Sequence, residues 1–129
     1  MKIKEKFYAM REKLGIANKK FTITIHPFGA KCDVWLGDFH QNLKDIEAEY
    51  PGVEFGDIKN LKNMAAVIEA TDGGKFFLLF LADKNGLTHE AIHLSWMICH
   101  ACGVKLSPDN HEIQAYLVDH IIEEVTKKL

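Results

Sequence analysis

Lys75-Phe76-Phe77-Leu78-Leu79-Phe80-Leu81-Ala82, followed by Asp83-Lys84-Asn85-Gly86 and then by Leu87-Thr88-His89-Glu90-Ala91-Ile92-His93, is the stretch that decides the fold. A continuous apolar, aromatic-rich run closed by turn formers reads as a largely buried strand followed by a turn. Beyond the turn, Leu87, Ala91, Leu94, Ile98 and Ala101 recur at three- and four-residue steps, with Thr88 as the expected N-cap and Gly103 at the C′ position. A strand therefore leads directly into a helix. At 100° per residue, His89, His93, Trp96 and His100 fall within about 60° of one another, so one face of the helix carries the histidines and another the aliphatic stripe.

Two imidazoles four residues apart on one helix face can grip a single zinc ion, and a glutamate between them is placed to activate water. With the His and Glu content of this chain, HExxH arises by chance in roughly one chain in forty, so the neighbouring elements carry the weight. Catalytic zinc takes three protein ligands and leaves one position for water, so the histidine pair needs a third donor from another element. Val104 to Asn110 reads as a loop with Ser107, Pro108 and Asp109, and Asp109 or Asn110 is the expected cap of a second helix running to about Lys128. Glu112, in its first turn, is placed to supply the third donor if the short loop folds this helix back antiparallel to the first. On it Glu112, Tyr116, Asp119 and Glu123 share one face, and Ile113, Leu117, Ile121 and Val125 form the packing side.

HEAIH, a loop, and then Glu112-Ile113-Gln114-Ala115-Tyr116 resemble the gluzincin arrangement, in which HExxH is followed by a helix whose Glu-x-x-Ala or Glu-x-x-x-Asp segment supplies the third zinc ligand. The likeness runs from the strand near Phe76 to the C-terminal helix, and is greatest to the very small members encoded by phages and mobile elements. It implies a small zincin-like domain, with His89, His93 and Glu112 as zinc ligands and Glu90 as general base. No Asp stands four residues after Glu112, where Tyr116 is found, so Asp119 is the replacement expected to orient a ligand histidine.

The 129 residues, 47% hydrophobic and 26% charged, are an ordinary globular composition for one domain over residues 1–129. A net charge of −2, with Lys and Glu evenly scattered, supplies no basic stripe for nucleic acid, and no apolar run is long enough to span a bilayer. Met1 to Leu14 places Ile3, Phe7, Met10 and Leu14 at helical spacing and lacks the apolar centre of a signal peptide, so a cytoplasmic protein, in the host cytoplasm if phage-encoded, is expected. Three cysteines argue against a disulfide framework, and Cys99-His100-Ala101-Cys102 lies at the wrong end of its helix for a redox pair.

In the front half, Phe21, Ile23 and Ile25 alternate with polar residues, Pro27-Phe28-Gly29 turns, and Cys32, Val34 and Leu36 alternate again, which reads as a half-exposed hairpin. Asp38 and Gln41 form a capping box for a helix with Phe39, Leu43, Ile46 and Tyr50 on one stripe, stopped by Pro51-Gly52. Ala65 to Thr71 pairs with Phe76 to Ala82 across Asp72-Gly73-Gly74. The expected fold is α+β: a roughly four-stranded, mainly antiparallel sheet packed on the HExxH helix and the glutamate helix, with an N-terminal helix.

The expected reaction is peptide-bond hydrolysis, with an extended substrate lying along the sheet edge beside Phe76 to Ala82 and Tyr116, His100, His111 or His120 donating to the oxyanion. The partner is then a polypeptide substrate, for instance one host or regulatory protein. The alternative is a phage-type binding or inhibitor protein on the same scaffold, with metal structural or absent. The oligomeric state is left open.

Overall fold

The front-half alternation becomes a hairpin: in the computed structural model, which describes residues 19–55 and 63–129 and omits the side chains of residues 39–42, β1 (Lys19–Ile25) pairs antiparallel with β2 (Ala30–Leu36). Ile23 lies opposite Cys32 and Phe21 opposite Val34, which puts the alternating apolar residues on one face. A second hairpin joins β3 (Asn63–Glu69) to β4 (Lys75–Leu81). Its turn is held by the Asp72 carboxylate, which accepts from the Gly74 N–H at 2.8 Å, and by Gly73 at φ 86°, a left-handed conformation that glycine adopts without strain.

Both hairpins agree with the sequence pattern, but the way they join does not follow from it. β2 and β4 pair in parallel, with Val34 opposite Leu79, so the sheet is mixed and runs β1-β2-β4-β3. This central place explains the apolar run of β4 from Phe77 to Leu81, since a strand covered on both faces has no polar side to show, while Phe76 ahead of it is exposed. Phe77, Leu79 and Leu81 pack with Ile23, Ile25, Val34 and Leu36 against Leu87, Leu94 and Ile98 of α2 (Leu87–Ala101) and Leu117, Ile121 and Val125 of α3 (Glu112–Thr126). Leu78 and Phe80 point the other way, to Trp35 and to Ile46 of α1 (Phe39–Glu49). The fold is α+β, with helices on both faces of the sheet. One expectation is overturned here: both edges of β4 are occupied, so a substrate strand cannot lie beside Phe76 to Ala82, and β1 and β3 are the outer strands. The helix expected over Met1 to Leu14 lies outside the described residues, as do the side chains of Phe39 and Gln41.

Trp35, expected on a half-exposed strand, is buried, because α1 covers that face and ends in a polar anchor. The Tyr50 hydroxyl donates to the Asp33 carboxylate and accepts from Trp35 Nε1 at 3.2 Å, while Thr22 Oγ1 donates to the other Asp33 oxygen at 2.7 Å. Burial, followed by the Asp33 carboxylate, raises the Tyr50 hydroxyl well above its ordinary pKa. A raised folded-state pKa means that this contribution to stability is complete below the unfolded value near 10 and is lost as pH climbs beyond it. Tyr50→Phe is therefore expected to cost about 1 kcal/mol in urea unfolding at neutral pH, the gap from wild type closing above about pH 10. Equal unfolding midpoints at pH 7 would remove the anchor from the account.

The entry to α2 differs from the expected Thr88 cap. Asp83 accepts from the Asn85 N–H at 2.9 Å to form a 3₁₀ turn, Lys84–Gly86, that runs straight into α2 with Gly86 in the cap position. Asn63 Oδ1 clasps the same corner, accepting from the N–H groups of Ala82 at 3.0 Å and Asp83 at 3.1 Å, and a side chain at Gly86 would collide with its amide. Helix and strand are thus joined without slack. At the far end Gly103 is the expected C′ residue, at φ 73°: its N–H reaches the His100 carbonyl (3.2 Å) and the Val104 N–H reaches that of Cys99 (2.8 Å). The expected Asp109 or Asn110 cap of α3 is not formed. The Asn110 carboxamide turns back into its own loop, accepting from the Ser107 N–H at 2.6 Å and donating to the Lys105 carbonyl, and α3 starts uncapped behind His111.

Candidate metal centre

α2 buries Leu87, Ala91, Leu94, Ser95, Ile98 and Cys99, and exposes His89, Ile92, His93, Trp96 and His100 on the opposite side. The tight corner at Asn63 and Gly86 fixes the first turns of this helix, and hence the histidines, to the end of β4. One turn apart, His89 and His93 bring their Nε2 atoms to 3.1 Å, with ring centroids 4.8 Å apart. A tetrahedral divalent ion with metal–N near 2.05 Å holds two nitrogen ligands about 3.3 Å apart, so the 3.1 Å separation is compatible with both imidazoles binding one metal ion. The same contact serves two neutral imidazoles as a hydrogen bond, one donating and one accepting, and a cation would take the place of the shared proton.

Glu90 turns inward between them. It is only 7% exposed, and its Oε1 lies 3.7 Å from His89 Nε2. Glu90 and Ser95 are the buried polar residues among those described, and Ser95 is satisfied by donating to the Ile92 carbonyl at 2.7 Å. A buried carboxylate is costly unless positive charge or hydrogen-bond donors face it, and the His89 imidazole faces this one at 3.7 Å. His89, Glu90 and His93 form the one group of three such residues, among those described, whose ligand atoms gather within 4.8 Å and could hold a metal ion. Two imidazoles and a carboxylate suit zinc, and suit other divalent transition metals as well.

Glu112 is not drawn into this group. It is exposed in the first turn of α3, on the outer face it shares with Tyr116, Asp119 and Glu123. Gln114 Nε2 donates to Ser95 Oγ at 3.4 Å, which marks where the two helices meet. Ser95 lies about 120° around α2 from His89 and about 160° from His93, so α3 packs on a side of α2 turned away from the imidazoles.

The other residues singled out from the sequence are likewise apart from the group. Tyr116 stacks on His120 with ring centroids 5.9 Å apart, and His120 Nε2 is 3.4 Å from the Thr24 carbonyl, so both turn towards β1. His26 meets His120 edge-on at 5.8 Å, a contact no local pattern encodes, since the two residues belong to opposite ends of the chain. His100 is exposed on the histidine face of α2, about 10 Å along the axis from His93. His111 is exposed ahead of α3, and Asp119 is exposed on its outer face.

The cysteines are free, with Cys32 and Cys99 buried and Cys102 exposed. Burial, then proximity to Cys102, pushes the Cys99 thiol above its ordinary pKa, and burial, then Asp33, does the same to Cys32. Such thiols stay protonated and are poor ligands or nucleophiles. No family model, curated protein or solved structure matches the chain.

Proposed function

We propose that the chain is a zinc-dependent metallopeptidase of minimal, gluzincin-like build. The observation that carries this reading is the Nε2 pair of His89 and His93, 3.1 Å apart, beside a buried glutamate. Zinc bound there would supply Lewis-acid activation of water and of the scissile carbonyl. Glu90 accepts the proton of the attacking water and returns it to the leaving amine, two transfers within reach of one carboxylate on a fixed helical turn. Glu112 is the proposed third ligand, which requires α3 to change its packing on α2, because a carboxylate alone cannot reach from the outer face of α3 to the imidazoles. Asp119 is proposed to orient a ligand imidazole, and Tyr116, His100, His111 and His120 are the proposed sources of a donor to the oxyanion.

The substrate in this reading is an extended polypeptide added to the outer edge of β3, the strand beside which α2 packs, and the protein acts in the cytoplasm on one host or regulatory protein. Among the described residues no helix is long and apolar enough to cross a membrane. A second reading, a phage-type binding or inhibitor protein with metal structural or absent, draws on one observation: the imidazoles stand on an open outer surface and Glu112 is turned from them.

Metal analysis of purified protein after dialysis against zinc tests the site. Stoichiometric zinc is expected in the wild type. Structural zinc binding worth about 10–16 kcal/mol over four ligands amounts to roughly 3 kcal/mol per ligand, so His93→Ala should weaken binding on the order of a hundredfold. Glu112→Ala should do the same if its carboxylate is the third ligand. Wild-type affinity in Glu112→Ala would strike Glu112 from the ligand set, and a wild type that takes up no zinc would end the metallopeptidase reading.

A further inference from the structure

Two imidazoles would fill half of a tetrahedral coordination shell, and the His89 and His93 pair stands on the exposed face of its helix. The exposed residues of α2 include His89, His93, Trp96 and His100, at steps of four, three and four, the spacing with which one helix meets another along a seam. Trp96 is 58% exposed and Ile92 46%, and both border the imidazole pair. Scattered exposed apolar residues need no explanation, but an indole and an isoleucine flanking one chelating pair form a patch.

The charge pattern of α2 points the same way. Over Leu87–Ala101 its one formally charged residue is Glu90, which is buried, so the exposed face carries no Asp, Glu, Lys or Arg in a chain that is 26% charged. Depletion of charge and enrichment in tryptophan are marks of interface cores, and two copies of such a face approach without like-charge repulsion.

We infer that this face is a metal-dependent self-association surface: one zinc ion is shared between two copies of the chain, each contributing His89 and His93, with Ile92 and Trp96 packed around it. A second copy fits better than an unrelated partner because a two-fold axis supplies the two missing imidazoles with the same geometry as the first two. The size of the contact explains why metal is needed. Two crossing helices about 22 Å long bury on the order of several hundred Å² per copy, short of the roughly 800 Å² per partner of a standard stable interface, so apolar contact alone would not hold the pair together. A shell of four imidazoles has no open position, so in the peptidase reading the dimer is a closed form and hydrolysis belongs to the monomer. The inference itself requires the histidine pair and not the peptidase activity.

Light scattering coupled to size exclusion with zinc content of the eluted peak, on metal-free protein and then across a titration from half an equivalent to two equivalents of zinc, decides it. Expected are a single chain without metal, a two-chain species with zinc at one ion per two chains, and reversal by a chelator. His93→Ala should abolish the dimer. Trp96→Ser should weaken it by roughly tenfold while the chain stays folded by circular dichroism. Zinc bound at one per chain with the mass remaining that of one chain would overturn the shared site and leave the peptidase reading standing. Absence of any zinc uptake would overturn both, and a dimer that forms equally without metal would overturn the metal dependence.

Discussion

Replacing Glu90 with glutamine is expected, under the proposed metallopeptidase function, to lower peptide-bond hydrolysis by roughly 10²- to 10⁴-fold, the range supplied by a positioned general base, while the protein stays folded and zinc binding at the proposed site is kept. Glutamine matches glutamate in shape, so the buried site beside His89 is refilled without a cavity, and the loss of a buried charge should not reduce stability. The measurement is hydrolysis of an unfolded protein substrate together with zinc content of the same preparation. Activity retained at the wild-type level would remove Glu90 from the chemistry. Zinc lost with activity would instead make Glu90 the third donor of the compact His89, Glu90 and His93 group, leaving the proposed base without support. If the protein acts as a binder, its effect on a partner should survive Glu90→Ala.

The largest expected loss of stability is at Phe80, the bulkiest of the fully buried side chains, which fills the space between the sheet and α1 beside Trp35, Ile46 and Leu78 and meets Phe55 edge-on with ring centroids 6.3 Å apart. Phe80→Ala is expected to destabilise by about 3–5 kcal/mol, the sum of lost transfer energy and an unfilled cavity. Against a total of about 5–15 kcal/mol for a domain, that brings the chain close to unfolding at ambient temperature. Urea or thermal unfolding followed by circular dichroism measures it. A loss below about 1 kcal/mol would mean that the α1 side of the sheet is not packed as described, because such a small cost is typical of surface positions.

Phe80 also shows how much of the fold a sequence pattern carries. The run Phe77 to Leu81 reads correctly as a buried strand, because continuous apolarity means cover on both faces, whereas Phe76, just ahead of it, is 53% exposed. What covers each face is not written in it: parallel pairing of β2 with β4 joins Val34 to Leu79 through no turn of their own, and α1 docks through Tyr50 onto Asp33 and Trp35, contacts between distant residues. Elements with a local signature were legible. Examples are the β3–β4 turn at Asp72-Gly73-Gly74 and the Gly103 stop of α2, each decided by a glycine conformation within a few residues. Caps were less so, since Thr88 and Asn110 are suitable residue types that lost to neighbouring arrangements, the Asp83 turn in one case and a closed loop in the other.

The candidate site divides in the same way. That His89 and His93 would share a face, with Glu90 beside them, was determined by sequence alone, because a four-residue step on a helix returns to the same side whatever surrounds it. Whether Glu112 stands with them depends on how α3 lies against α2, and that is decided by packing: the aliphatic stripe of α3 seeks the sheet, Gln114 meets Ser95, and the rotation this imposes leaves Glu112 on the outer face. Local periodicity propagates through backbone geometry and survives any environment, whereas the rotation of one helix about another is set by side chains from several elements at once. Only the folded chain brings those together.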